Sequence, residues 1–191
     1  MIRNINIVDD DTIRKKRIIE RELYSDADIV EVLEDPDIDP SCPEELVYSS
    51  IYPFIRIPGT QDKSKNFITF SISNIGNSTN NEVMKNQYIQ FVIFVHKDLV
   101  KTNYGMARHD CLGYIIRDIF NLSNKLGMQM RLVSDMEGAT DMDYITRTLK
   151  FELTTDNSNK PFRTNSYERK SIVDRQDKTL QHNRVGVVTH E

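Results

Sequence analysis

The alternation of apolar and polar residues between Ile51 and Leu153 predicts three strands, then one helix, then two more strands. The clearest period of two runs from Phe67 to Ser73, which is the pattern of a half-buried strand. A weaker run from Ile51 to Ile57 contains Pro53, so it belongs at an edge of the sheet or at a bulge. Residues 87–96 are apolar on both faces, which indicates a central strand covered on both sides.

A helical stripe follows these strands. Apolar residues recur at every third or fourth position from Met106 to Leu126, the spacing of a helix that packs on a sheet. Gly127 stands where a helix end favours a left-handed residue. Residues 128–133 and 144–153 are the last two predicted strands. The polar segments between these elements are predicted loops, at residues 74–86 and 135–143.

The N-terminal part of the chain predicts two helices. The first runs from about Asp11 to Tyr24, and its many charges indicate a largely solvated surface. The second runs from Asp26 to Glu34, with Ser25 as its predicted cap. The prolines of residues 36–45 predict a stiff loop without regular structure. The predicted parts are N-terminal helices with an acidic loop (1–45), a core domain (46–156) and an extended C-terminal arm (157–191).

The predicted fold class is α+β, with one long helix on a mixed, mainly antiparallel sheet of about five strands. The arm has few large apolar residues, so it cannot offset the cost of ordering its backbone alone. We expect it to be disordered in the free subunit or ordered on a neighbouring copy.

Charge and cysteine content narrow the possible classes. The chain has 25 basic and 29 acidic side chains, a net charge of −4, which argues against a dedicated nucleic-acid binder. Cys42 and Cys111 lie far apart and are predicted to be free thiols. No apolar stretch approaches the ~20 residues of a membrane span, and no signal-peptide core is present, so a cytosolic protein without membrane contact is expected.

One charge run stands out. Between Asp26 and Glu45 there are nine acidic residues and no basic one. Such a run is typical of a solvated face, and a negative surface with a function is the alternative.

No motif for catalysis, cofactor binding or metal binding emerges. His109, Asp110 and Cys111 are ligand-type residues, but adjacent helical positions face different directions. His96 has no obvious nucleophile beside it in the sequence, and neither a Gly-rich phosphate loop nor an HExxH motif occurs. We therefore expect a protein without catalysis, cofactor or metal.

The segment from Gln87 to Asp156 resembles the tail terminator and tail-completion proteins of long-tailed bacteriophages. In that family a long apolar strand precedes a helix that crosses the sheet, and two strands close it. The last strand there has a rhythm like DxDYxTRTLxFE, which here spans Asp141 to Glu152. The stretches that carry the resemblance are QYIQFVIFVHKDLVKTNYGMARHDCLGYIIRDIFN and LGMQMRLVSDMEGATDMDYITRTLKFELTTDN.

The resemblance implies a structural virion protein of the phage neck, assembled in the cytoplasm of the bacterial host. It would form a ring, usually of six copies, that caps the tail tube and joins it to the head connector. Its partners would be further copies of itself, the tail tube protein and the head-tail connector or head-closure protein. Genomic DNA would pass through without specific binding, which favours an acidic or neutral channel wall.

Two residue sets follow from these expectations. The channel wall could come from the acidic run at Asp26–Glu45 or from four acids of the predicted loop: Asp135, Glu137, Asp141 and Asp143. The possible assembly contacts are strand and arm residues: Tyr144, Thr146, Thr148, Phe162, Tyr167, Ile172 and Val173.

Three alternatives stay open. The first is another head-tail connector or head-closure subunit. The second is a small enzyme such as a nuclease or hydrolase, whose activity would depend on His96, His109 or Glu152. The third is a monomeric adaptor domain.

Overall fold

The computed structural model of the chain describes residues 10–39, 41–59, 64–78, 81–141 and 143–156. These residues form three α-helices and one open sheet of five strands, an α+β fold as the sequence predicts. The helices are α1 (Asp11–Ser25), α2 (Ala27–Leu33) and α3 (Arg108–Phe120). The strands are β1 (Ile51–Tyr52), β2 (Phe67–Ser78), β3 (Asn81–His96), β4 (Met130–Ala139) and β5 (Tyr144–Asp156).

The strand order is β1-β2-β3-β5-β4, so β3 is the central strand, as its two apolar faces predict. Strand β1 pairs with β2 in parallel, and the other three pairings are antiparallel. The sheet is therefore mixed but mainly antiparallel. Its two edges are the two-residue β1 and the ten-residue β4.

The three helices cover one face of the sheet. Buried side chains of α1, such as Ile19, and of α3, such as Ile116, belong to one apolar cluster with β3 residues such as Phe91. Phe91 stacks on Phe120 of α3 with ring centroids 5.1 Å apart. Burial of this stripe explains why the helical periodicity predicts the position of α3 on the sheet.

A second, smaller cluster lies on the opposite face. Its members are aromatic or β-branched and come from four strands, β1, β2, β3 and β5: Tyr52, Phe67, Val92, Phe94 and Tyr144. The alternation of side chains along β3 places Val92 and Phe94 on this face and Ile93 on the helix face. Both apolar faces of β3 are therefore explained by packing within the subunit, against the helices on one side and against this aromatic cluster on the other.

The predicted loop at residues 74–86 is wrong. These residues extend β2 and β3, and Ser78 lies opposite Asn81. A ladder of backbone hydrogen bonds continues through polar residues, because pairing needs no apolar side chain. The loop predicted at 135–143 is likewise shorter, since β4 continues to Ala139.

The predicted helix at Met106–Leu126 is too long at both ends. Helix α3 ends at Phe120, and Leu122 has a positive φ of 59° that no α-helix accommodates. Leu126 is nevertheless buried, in the loop that follows. Gly127 has the left-handed φ of 95° expected of it, but it lies in that loop and not at the end of the helix.

Smaller differences concern the N-terminal half. Asp26, not Ser25, caps α2, and its carboxylate accepts from the backbone N–H of Ile29 at 3.1 Å. The Pro-containing loop includes a 3₁₀ turn at Pro43–Leu46. The strand predicted at 51–57 is confined to Ile51–Tyr52, directly before Pro53. No helix among the described residues is long and apolar enough to cross a membrane.

Candidate functional site

Four acidic residues predicted to line a channel lie at one end of the β4–β5 hairpin, and two of them have cationic partners. Asp135 receives two hydrogen bonds from the Arg147 guanidinium, at 2.9 and 2.8 Å. Asp143 forms an ion pair with Lys97 at 2.9 Å. Asp141 is exposed. The surface is therefore much closer to neutral than its sequence indicates.

Arg147 is the centre of this network. It reaches from β5 toward α3, where it also donates to Asp110 in the first turn of the helix. Asp135 in particular raises the pKa of Arg147, against the opposing effect of burial. A bidentate bond to one carboxylate and a further bond to a second one fix the side chain between helix and sheet.

Gly113 makes this position possible. It is buried in α3 directly above Arg147, and a Cβ at Gly113 would lie 2.6 Å from the Arg147 Cδ. That distance is too short for two carbons, so a larger residue here would displace the arginine. The spacing of the apolar stripe gives no hint of this requirement, because Gly113 is needed for close approach and not for a turn.

His109 lies beside the same network. It is buried in the first turn of α3, and its Nε2 is 2.9 Å from the Glu137 Oε1 of β4. The carboxylate accepts the Nε2–H hydrogen, which leaves Nδ1 as a buried nitrogen without a hydrogen-bond partner among the described residues. The fourth predicted channel residue, Glu137, is thus also partnered.

His109, Asp110 and Glu137 bring three metal-ligand atoms within 4.8 Å of one another. The donor set resembles that of a transition-metal site. However, the Arg147 cation already contacts Asp110, and a metal-bound histidine normally donates its other N–H to an acceptor. The orphaned Nδ1 of His109 has no such acceptor, so the surroundings do not fit a metal centre.

His96 is the other predicted candidate for catalysis, and the structure corrects the expectation that no nucleophile lies near it. The Ser64 Oγ is 3.5 Å from the His96 Nε2, and the Asp98 Oδ2 is 3.4 Å from Nδ1. Both distances are longer than the bonds that hold a working triad. The Asp98 side chain is 69% exposed, so it does not fix the imidazole as a buried carboxylate would.

The predicted assembly residues are only partly on the surface. Tyr144 is 3% exposed and contacts Phe67 edge-on with ring centroids 5.7 Å apart, so its ring belongs to the interior of the subunit. Thr146 and Thr148 are half-buried on the face opposite the helices. The remaining members of the set lie outside the described residues: Phe162, Tyr167, Ile172 and Val173.

The acidic run folds around a groove between the end of α1, α2 and the Pro-containing loop. The groove has a volume of about 720 Å³. Its apolar lining includes Tyr24, Val30, Ile38 and Leu46, and its acidic lining consists of Glu31, Glu34 and Asp35. This groove was not predicted, because its walls come from three separate segments.

A family model named YomW matches residues 23–153, which is more than half of the chain. The chain belongs to the YomW family. The YomW match begins near the end of α1 and ends in β5, so it includes the Arg147 network, Gly113 and the groove. No curated protein matches the chain.

Proposed function

We propose that this YomW-family chain is a tail terminator subunit of a phage neck, which forms a ring on the tail tube and joins it to the head connector. The observation that carries the proposal is the β4–β5 hairpin. It contains the Asp141–Glu152 rhythm on which the resemblance rests. Because its outer strand β4 is an edge of the sheet that the described residues form, the same hairpin also offers a strand edge to a neighbour.

Exposed apolar side chains support a contact at this edge. On β4, Val133 is 42% and Met136 is 59% exposed. At the opposite edge, the segment around β1 exposes Tyr48 (66%) and Ile57 (74%). Two different edges on one subunit suit a heterologous contact, which closes into a ring when the rotation between copies is right.

Negative-stain imaging of the purified protein, with and without tail tubes, tests the proposal. We expect isolated rings or caps on tube ends. Met136→Lys combined with Val133→Lys should abolish them and leave a folded monomer, because lysines on an edge strand oppose pairing. Leu122→Lys is the matched control, since Leu122 is 62% exposed but lies outside β4. Only single particles from the unaltered chain, under all conditions, would refute the proposal.

A near-neutral channel wall is the second part of the proposal. Replacing Asp135, Glu137 and Asp143 with their amides would remove three carboxylates from this surface. Lys97 would lose its ion pair with Asp143, and Arg147 would keep Asp110 as its one carboxylate partner among the described residues. The assembled channel should then retain DNA at low salt and release it as salt rises. The exposed Asp118 is the control, because Asp118→Asn removes a charge without freeing a cation among the described residues. Equal retention of DNA by the two variants would show that these acids do not line the channel.

A hydrolase is the second candidate function. The observation that favours it is that Ser64 and Asp98 lie on opposite nitrogens of His96, at distances that binding of a substrate would have to shorten. Turnover of an activated ester by the purified chain, lost in His96→Ala, would support this function. Turnover that persists in His96→Ala would assign the activity to a contaminant.

A further inference from the structure

The groove beside α2 combines apolar walls with an acidic rim. Its volume of about 720 Å³ falls within the range of pockets that enclose a drug-sized ligand, so it has room for a few large side chains. A monomeric protein rarely leaves such an apolar surface uncovered without a function.

The acidic run has more carboxylates than cationic partners among the described residues, although two of the three acids that line the groove, Glu34 and Asp35, are already paired. Of the nine acids in the run Asp26–Glu45, three form ion pairs among the described residues: Glu34 with Arg108, and Asp35 and Asp37 with Lys65. Glu31 accepts a hydrogen bond from the Tyr104 hydroxyl, and Glu44 and Glu45 are exposed on the 3₁₀ turn. A ligand for this groove should therefore be cationic and carry apolar groups.

The C-terminal arm has this chemistry. The 35 residues from Asn157 to Glu191 contain seven basic and four acidic side chains, whereas the chain as a whole is negative. Within residues 160–170, KPFRTNSYERK, there are four basic residues, one acid and two aromatic rings, at Phe162 and Tyr167.

The start of the arm is also within reach. The Thr155 hydroxyl lies 3.2 Å from the Lys15 Nζ, which places the end of β5 beside α1. From Lys15 to Tyr24, at the edge of the groove, the helix rises about 14 Å. The residues from Asp156 to Phe162 can span up to about 20 Å when extended.

We propose that residues 160–170 of the arm bind in the acidic groove of their own chain. Phe162 and Tyr167 enter between the apolar walls. The lysines and arginines face the rim carboxylates that have no ion pair among the described residues, which are Glu31, Glu44 and Glu45. A short tether raises the local concentration of the segment into the millimolar range, so weak contacts suffice to hold it. The inference goes beyond the proposed function and assigns the acidic run to the arm instead of to a channel wall.

Disulfide trapping in the full-length chain tests this arrangement. Cys42 precedes Pro43, which lines the groove, and it is a free thiol. In a Cys111→Ser background, Ser166→Cys places the second thiol next to Tyr167. We expect a disulfide within one chain under mild oxidation, identified by mass spectrometry of the linked peptides. Its rate should not change on dilution.

Charge variants separate binding from random collision of a tethered segment. Exposed charge contacts are each worth a factor of about two. Glu31→Gln, Glu44→Gln and Glu45→Gln together should slow trapping by roughly five- to tenfold. The matched control removes two exposed acids outside the groove, with Asp118→Asn and Asp141→Asn, and should leave the rate unchanged.

Three outcomes would overturn the inference. The first is equal trapping rates in the groove and control variants, which would mean chance encounter. The second is disulfides that form only between chains, which would place the arm on a neighbouring copy. The third is no trapping at all. None of these outcomes depends on whether rings are seen, so the proposed function is judged separately.

Discussion

Lys15 provides the sharpest test of how α1 is held on the sheet. Its side chain is fully buried, although it lies among the charged residues that predict a solvated helix. The ammonium group donates to Asp11 at 2.6 Å, to Gln87 at 2.5 Å and to Thr155 at 3.2 Å. Lys85 lies 3.8 Å from the same Asp11 carboxylate. One lysine thus joins α1 to β3 and β5.

Asp11→Ala should be among the most damaging single changes in this part of the protein. It removes the only carboxylate in contact with the buried ammonium among the described residues. Loss of one partner of a buried pair costs about 3–5 kcal/mol, because the other charge stays buried and uncompensated. At about 2–4 °C per kcal/mol for a chain of this size, the Tm should fall by roughly 6–20 °C.

Lys15→Met should cost less, because the buried Asp11 carboxylate keeps Arg14 at 3.2 Å and Lys85 at 3.8 Å, and methionine keeps most of the packing volume. Its main penalty is that the side-chain amide oxygen of Gln87 loses its hydrogen-bond donor, which should lower the free energy of unfolding by about 1–3 kcal/mol. The double variant Asp11→Ala/Lys15→Met should therefore be more stable than Asp11→Ala alone. Urea unfolding of all four proteins gives the coupling energy.

The exposed Asp118 of α3 supplies the control. Asp118→Ala should change the free energy of unfolding by about 0.5 kcal/mol or less. If Asp11→Ala were no worse than Asp118→Ala, or if the double variant were the sum of the single ones, the buried ammonium would not depend on Asp11. The assignment of Lys15 as the link between helix and sheet would then be refuted.

Three further expectations concern pH and packing. Burial alone raises the pKa of Asp11, but Lys15, Arg14 and Lys85 together lower it below the usual 3.8. The ionised Asp11 carboxylate therefore stabilises the fold above that pH, and this stabilisation is lost as the pH falls below it. The loss of stability at acid pH should be smaller in Asp11→Ala than in the unaltered chain. Gly113→Ala should destabilise the protein by about 1–2 kcal/mol because it displaces Arg147, yet in an Arg147→Ala background the same change should stabilise α3 by about 1 kcal/mol. Circular dichroism should show that Ile116→Asp unfolds the domain, because the charge is buried under the helix, whereas Tyr114→Asp on the exposed side of α3 is tolerated.

Much of the sheet could be predicted, because alternate side chains of a strand face the core and this repeat of two is visible in the sequence. The alternation at Phe67–Ser73 and the two apolar faces of β3 follow directly from their positions in the sheet. The extensions of β2 and β3 through polar residues could not be predicted, because backbone pairing leaves no pattern in the side chains. The end of α3 was misplaced because Leu126 keeps the helical spacing while lying in a loop.

The candidate site was harder to predict, because its geometry depends on contacts between distant residues. His109 meets Glu137 across 28 positions of the sequence, and Asp110 meets Arg147 across 37. The burial of Lys15 cannot be predicted for a related reason. A charged residue in a charged helix indicates solvent, and only the partners on β3 and β5 show otherwise. Burial of a lysine is rare unless it is paired, so no local pattern reveals it.

The pairing of β5 has a mechanical consequence. This strand is bonded along most of its length to β3 on one side and to β4 on the other, and it is the last described element of the chain. A force that pulls on the chain beyond Asp156, along the axis of the strand, would load both rows of hydrogen bonds in shear. Many bonds would then have to break together instead of one after another, so the subunit should resist traction at this end far better than peeling at β4.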